Sequence, residues 1–297
     1  MKLNHLRPAA GSNKELGGLE IMNFLSRFLV AMQRQISVIL ALAVYENNRK
    51  STVGSAGSWE SLINPLQMML FFIGIRIGFR FLLSGGTLSG GATSLYFNIV
   101  VFMAAGFTIY FPFRQLAIQA LAGLKLRAPL YYNRVEPLDI LLALSINNVR
   151  ALLTLTLGLM ALIWSLTWDF RMDSPGLALC VYLLTISMAV GFGICLVFLG
   201  KFNKFITRLI KRLINRILIF TSALFFATFE LPAYTRPFVT WNPLLHAVEL
   251  FRYSLNNEYP IPDISLSYLI WCSTVTLGFS LILYRTNEAL LLESLDD

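Results

Sequence analysis

Long apolar runs separated by polar segments dominate this sequence, and most of them have the length that a helix needs to cross a bilayer. The pattern predicts membrane-spanning helices at about 62–83, 94–113, 148–168, 176–199, 217–231 and 264–284. The fifth run is short and rich in phenylalanine. We therefore expect an all-α integral membrane protein, in which residues 59–297 form one six-span domain.

The N-terminal region is more polar than the rest and divides into two parts. Residues 1–20 contain several glycines and predict a flexible tail. Residues 21–58 predict a cytoplasmic interfacial helix followed by a polar hinge, because apolar residues such as Phe24 and Phe28 alternate with Arg27 and Arg34. A helix packed on the protein's own core is an equally good interpretation of the same pattern.

The distribution of charge sets the expected topology. The chain of 297 residues is 56% hydrophobic and only 13% charged, with mean hydropathy +0.65 and a net charge of +8. Lysine and arginine cluster at 49–50, 114–134 and 201–216, which all fall on one side of the six-span arrangement. The positive-inside rule then places both termini in the cytoplasm. Anionic lipid accounts for the basic segment 201–216 as a membrane-lying helix, so we expect no nucleic-acid partner.

Motifs for catalysis or metal binding are not found in the sequence. It contains no HExxH, no GxSxG and no phosphate-binding loop, and its three cysteines have no paired spacing. We expect no catalytic residues, no metal site and no bound cofactor. The chain should be unable to hydrolyse ATP by itself.

The segment 240–260 is too polar to span a membrane, although apolar sequence flanks it on both sides. Asn242 followed by Pro243 is typical of a helix start. The helical periodicity predicts an amphipathic helix at the outer edge of the membrane domain. Its apolar face would carry Leu244, Val248, Phe251 and Leu255, and its polar face His246, Glu249, Tyr253 and Asn256. Pairing of Glu249 with His246 or Arg252 would be structural rather than catalytic.

Two arginines, Arg76 and Arg80, lie within the first predicted span. Each costs about 2.5–3.5 kcal/mol to place at the centre of a bilayer. They either face a polar path or an interface, or extend to the outer headgroups from the second half of the span. The sequence leaves both interpretations open.

Three segments together carry a family resemblance. They are the lead-in with Trp59, Glu60 and Pro65, the RVEPLDILLA segment from Arg134, and WNPLLHAVELFR from Trp241. In this order and spacing they resemble the membrane subunit of type-2 ABC exporters, most of all the capsular polysaccharide exporters and next the O-antigen exporters. The similarity extends over roughly residues 42–284.

The resemblance implies a permease of the bacterial inner membrane that moves a lipid-linked polysaccharide outward. Its implied partners are a second copy of itself, a separate ATP-binding-cassette subunit that binds ATP and Mg²⁺, and a periplasmic polysaccharide co-polymerase. An O-antigen or other glycolipid exporter is the first alternative. A membrane-embedded, lipid-dependent transferase is a weaker one, with Glu249 and His246 as its only candidate residues.

The resemblance also implies roles for particular residues. The loop that couples to the ATP-binding subunit would contain Leu126, Arg127, Tyr131, Tyr132, Asn133, Arg134 and Glu136. The outer re-entrant pair would comprise a first limb at 233–239, a turn near 240–242 and a second helix with Asn242, Pro243, His246, Glu249 and Arg252. The N-terminal interfacial helix would act as a lateral gate. Aromatic stacking and acid neutralisation suggest a substrate conduit formed by Arg76, Phe79, Arg80, Tyr110 and Trp241.

Overall fold

A computed structural model describes residues 30–45, 48, 67–78 in part, 96–123, 135, 138–157 in part, 172–202 and 204–287. Its helices are α1 (Val30–Tyr45), α2 (Ile99–Gly123), α3 (Leu138–Asn147), α4 (Pro175–Phe202), α5 (Lys204–Thr221), α6 (Pro237–Thr240), α7 (Pro243–Leu255) and α8 (Leu266–Thr286). A short 3₁₀ turn covers Thr228–Glu230. These residues contain no strand, which confirms the all-helical class predicted from the sequence.

Three of the helices contain segments that are long and apolar enough to cross a membrane: Ile99–Ile118, Pro175–Gly200 and Leu266–Thr286. Their positions match the second, fourth and sixth predicted spans. The predicted first and third spans lie largely outside the described residues. Helix α2 continues past the predicted end of its span to Gly123, despite Pro112 in its interior.

The fifth predicted span, at 217–231, differs from the structure. Helix α5 runs without interruption from the basic segment into this region and ends at Thr221. Irregular backbone follows up to the 3₁₀ turn, and Ala223 adopts a left-handed conformation with φ of 54°. A non-glycine residue in this conformation interrupts a right-handed helix, so residues 217–231 do not form one helix.

Helix α7 lies at the centre of the described bundle, in contact with α2, α4 and α8. The outer helices also pack directly on each other. At the crossing of α4 and α8, a Cβ added at Gly191 would lie 2.9 Å from backbone atoms of Leu277. The Ser273 hydroxyl of α8 donates to the Leu184 carbonyl of α4 at 2.7 Å. Helices α4 and α8 therefore approach each other closely at this glycine.

Helix α1 packs on α3 along one stripe, where Ile39 and Ala43 are buried together with Ala143. A neighbouring stripe with Ile36 and Leu40 is exposed. The alternative of packing on the protein's own helices therefore holds for one stripe of α1, whereas an apolar stripe stays available for another contact.

Candidate functional site

The start of α7 is built as the residue pattern predicted. Asn242 is the N-cap: its side-chain oxygen accepts a hydrogen bond from the backbone N–H of Leu244 at 3.0 Å. Its amide nitrogen donates to the hydroxyl of Thr221 at 3.0 Å and to that of Ser222 at 3.3 Å. The same side chain thus starts α7 and fastens it to the end of α5. Pro243 occupies the first helical turn, where its missing N–H costs nothing.

The polar face of α7 is largely buried. Of its 13 residues, 11 are buried, including His246, Glu249 and Arg252. The periodicity in the sequence is real, but the polar face is covered by α2, by the irregular segment after α5 and by the start of α8. Buried polar side chains need partners, and here the partners come from other parts of the chain.

Arg252 is fully buried and joins three parts of the molecule. Its guanidinium donates to the carbonyls of Ala223 at 2.7 Å, Leu224 at 3.3 Å and Phe226 at 3.4 Å, all in the irregular segment after α5. It also donates twice to the Phe102 carbonyl of α2, at 3.2 and 3.3 Å. The central carbon of the guanidinium lies 3.5 Å from the centroid of the Phe102 ring. Arg252 therefore satisfies carbonyls that a continuous helix would have satisfied itself.

Glu249 lies one turn before Arg252, and both side chains are fully buried. Nη1 of Arg252 lies 3.0 Å from Oε1 of Glu249, which confirms the ion pair suggested by their spacing. The second oxygen, Oε2, and the hydroxyl of Tyr259 make no hydrogen bond of ordinary geometry, although the two groups interact. Burial raises the pKa of the Glu249 carboxyl, and the nearby Arg252 opposes that shift.

His246 does not pair with Glu249 as the sequence had suggested. Its Nδ1 accepts a hydrogen bond from the backbone N–H of Ser265 at 3.1 Å, so the neutral ring carries its proton on Nε2. That nitrogen donates to the Thr240 carbonyl at 2.7 Å. Burial lowers the pKa of His246 below its ordinary 6.5, and the hydrogen bond to Thr240 opposes this shift. Ser265 is the N-cap of α8, so His246 fastens α7 to the start of that span.

Two residues of α2 belong to this site, although the sequence did not point to them. A Cβ added at Gly106 would lie 2.9 Å from Cδ2 of Leu224 and 3.0 Å from Nη2 of Arg252. A larger residue at this position would require the side chain of Leu224 or the guanidinium to move. Phe102 provides a carbonyl and a ring to the same group. A glycine and a phenylalanine in an apolar span carry no sequence signal that would have identified them.

The residues expected to form the conduit have different environments. Trp241 is 60% exposed, and Phe238 at 75% and Tyr234 at 77% are exposed in the same segment before α7. Tyr110 is completely buried in the core and presents no surface to a path in this structure. Arg76, Phe79 and Arg80 lie outside the described residues.

The expected coupling loop lies in a part of the chain that the structure does not describe. Outside the described residues lie Leu126, Arg127, Tyr131, Tyr132, Asn133, Arg134 and Glu136. Among the residues that are described, no three histidine, cysteine or acidic side chains come together as metal ligands.

The comparisons with known proteins give two informative relatives. Over 195 residues the chain is 27% identical to the polysialic acid transport protein KpsM of Escherichia coli, a match that covers 65% of this chain and 75% of that protein. The chain is therefore similar to a polysaccharide transport protein over about two thirds of its length. Over 185 residues it is 25% identical to the capsule polysaccharide export inner-membrane protein CtrC of Neisseria meningitidis serogroup B, covering 62% and 69% of the two chains. No protein-family model matches.

These relatives confirm the resemblance to type-2 ABC exporter permeases of the capsular kind that was recognised in the sequence. Together with the long apolar helices α2, α4 and α8, they identify the chain as a multi-pass protein of the inner membrane.

Proposed function

We propose that this chain is the permease subunit of an ATP-driven exporter that moves a lipid-linked, capsular-type polysaccharide across the inner membrane. The observation that carries the proposal is the similarity to KpsM and CtrC over more than three fifths of the chain. Two copies of the chain would assemble with two copies of a separate ATP-binding-cassette subunit, which would bind ATP and Mg²⁺. A periplasmic polysaccharide co-polymerase would receive the product.

The geometry of α7 favours transport over catalysis. A lipid-dependent transferase would need an acid or base that can reach a substrate. Its only candidates from the sequence were Glu249 and His246, and both are buried and engaged with other parts of the chain. Their contacts with Arg252, Thr240 and Ser265 instead hold α7 in place.

The segment between the end of α5 and the start of α7 combines irregular backbone with exposed aromatic rings. Non-helical backbone at membrane depth is tolerated only where protein or water covers its polar groups. Here Arg252 satisfies the carbonyls of Ala223, Leu224 and Phe226 from inside the chain. The exposed rings of Phe238 and Trp241 then present flat apolar faces, on which sugar rings stack. We assign these exposed rings, together with the segment before α7 that carries them, to the outer exit of the path.

ATP would act on the permease through the loop at 126–136. Closure of the two ATP-binding subunits would displace this loop, and a rigid-body movement of the attached helices would open the path between the two permease copies. The energy for the step comes from the nucleotide on the partner subunit.

Deleting the gene in its host tests the proposed function. Surface polysaccharide should disappear while polymer accumulates inside the cell, and deletion of the ATP-binding subunit should give the same phenotype. Restoring the wild-type gene should reverse both changes. If the deletion stops polymer synthesis instead, the chain is a transferase. The chemical identity of the accumulated polymer distinguishes capsule export from O-antigen export.

The conduit arginines are tested by replacing Arg76 and Arg80 with glutamine. At equal protein level, surface polysaccharide should fall because an acidic polymer loses its counter-charges. Arg212→Gln is a matched control, since Arg212 lies exposed on α5. Export equal to that of the control would remove both arginines from the conduit.

A further inference from the structure

Side chains from two later helices hold the end of the short helix α6. The His246 ring of α7 donates to the Thr240 carbonyl at 2.7 Å. The Tyr268 hydroxyl of α8 donates to the next carbonyl, that of Trp241, at 2.6 Å. The two aromatic rings also pack on each other, with their centroids 4.7 Å apart. Carbonyls at the end of a helix need such partners, because no following turn supplies a donor.

The indole of Trp241 is fixed by a further hydrogen bond. Its Nε1–H donates to the carbonyl of Phe238 at 2.8 Å. Trp241 ends α6 in a helical conformation, and residues three apart on a helix are neighbours on its surface. Because both residues are largely exposed, Phe238 and Trp241 present two adjacent rings to their surroundings, and we call this pair the ring platform.

Exposed aromatic residues on a membrane protein also serve as anchors at the membrane interface. An anchoring tryptophan keeps the body of its ring in apolar surroundings and its N–H in the wet headgroup region. The N–H of Trp241 instead bonds within its own segment, so that the exposed indole offers a carbon face. This geometry favours stacking over anchoring.

The charges near the ring platform are balanced. Arg236 is the only charged residue in the segment 232–242, and its Nη1 lies 3.5 Å from Oδ2 of Asp263. The segment 264–271, which contains Tyr268, has no charged residue. An apolar face in balanced surroundings suits the carbon face of a sugar ring and gives no preference for its acidic groups.

We propose that Tyr268 is a positioning residue, which holds the ring platform in a fixed orientation so that it binds the apolar faces of sugar rings in the departing polymer. This inference rests on the proposed function, because it takes a polysaccharide as the substrate. The binding depends on ring faces and not on the acidic groups that the conduit arginines would contact. A platform that is rigid beforehand loses less conformational freedom when the sugar binds.

Tryptophan fluorescence of the full chain in lipid nanodiscs tests the ring platform. Trp241 is left as the only reporter by replacing the other tryptophans with phenylalanine: Trp59, Trp164, Trp168 and Trp271. The probes are short oligosaccharides cut from the surface polysaccharide of the host, before and after chemical reduction of their carboxyl groups. We expect both probes to change the Trp241 emission with equal affinity, at low and at high salt. No change with either probe, or a change that carboxyl reduction or salt abolishes, would overturn the proposal.

Tyr268→Phe tests the positioning role, because it removes the hydroxyl and keeps the ring beside His246. The loss of one hydrogen bond should weaken binding of both probes about two- to tenfold. The fluorescence anisotropy of Trp241 should decay faster in this variant, since the indole gains local motion. Unchanged affinity, or weaker binding without faster motion of the indole, would contradict the role of Tyr268.

Export by the intact complex provides an independent measurement. Trp241→Ala should lower the amount of surface polysaccharide at equal protein level. Trp271→Ala is the matched control, because Trp271 is 66% exposed on α8, and it should export like the wild type. Equal loss in both variants would identify the rings as membrane anchors, and full export in both would exclude the platform. Absence of ATP-dependent export by the wild-type complex would instead contradict the proposed function.

Discussion

Replacing Arg252 with methionine tests the central contact of the site. Methionine has a similar length but no donors, so the carbonyls of Ala223, Leu224, Phe226 and Phe102 lose their hydrogen bonds to the guanidinium. The carboxylate of Glu249 loses its counter-charge at the same time.

The loss of stability follows from the contacts that Arg252 makes. Removing one partner of a buried ion pair costs about 3–5 kcal/mol. The carbonyl of Phe102 lies within α2 and keeps its helical hydrogen bond, whereas each of the three carbonyls after α5 that is left without a donor costs about 1–3 kcal/mol. We therefore expect a loss of at least about 5 kcal/mol, which is comparable with the whole stability of many domains.

A comparison with Glu249→Gln separates the two contributions. Glutamine keeps an acceptor for Arg252 and removes only the charge, so the guanidinium still caps the four carbonyls. If carbonyl capping dominates, Arg252→Met costs much more than Glu249→Gln, and the double variant Arg252→Met with Glu249→Leu recovers little. Arg252→Lys should also be poor, because an ammonium cannot reproduce the planar fork.

Detergent-purified protein with a fluorescent tag provides the assay, with thermal denaturation followed by size-exclusion chromatography. The midpoint of Arg252→Met should fall by about 10 °C or more. Arg212→Met, at an exposed arginine of α5, is the control and should melt like the wild type. A midpoint of Arg252→Met equal to that of the control, or a Glu249→Gln variant that is just as unstable, would refute the reasoning.

Three further changes have defined expectations. Gly191→Ala places a Cβ against the backbone of α8 and should lower the stability by about 1–3 kcal/mol in the same assay. Gly278→Ala is the control, because no atom lies within 4 Å of the added Cβ, and it should not lower the stability. Equal melting temperatures of the two variants would contradict the tight crossing of α4 and α8. The pKa of His246 is lowered in the folded chain, so the stabilising contribution of this residue is complete above the ordinary pKa of 6.5 and is lost as the pH falls below that value. We therefore expect the wild type to melt at a lower temperature at about pH 5.5 than at about pH 7.5. The difference between the two pH values should be smaller for His246→Gln. A double alanine variant at Tyr131 and Arg134 should no longer co-purify with the ATP-binding subunit, and full stimulated ATP hydrolysis in that variant would show that the coupling loop lies elsewhere.

The sequence was sufficient for features that depend on local chemistry and length. The apolar runs that form α4 and α8 need no tertiary information, since bilayer thickness and helix rise determine how long a span must be. Asn242 and Pro243 start α7 as predicted, because N-capping acts within one turn. The ion pair of Glu249 and Arg252 follows from their spacing of one turn.

The interpretation of the polar residues needed the tertiary structure. A helix with one polar face is the same in sequence whether water or other protein atoms cover that face, so only the structure shows that the polar face of α7 is buried among other helices. The interruption at Ala223 was invisible for a related reason. The apolar residues 217–231 favour a continuous helix locally. The interrupted backbone is stabilised by hydrogen bonds from Arg252, about 30 residues later in the chain, because they satisfy its carbonyls.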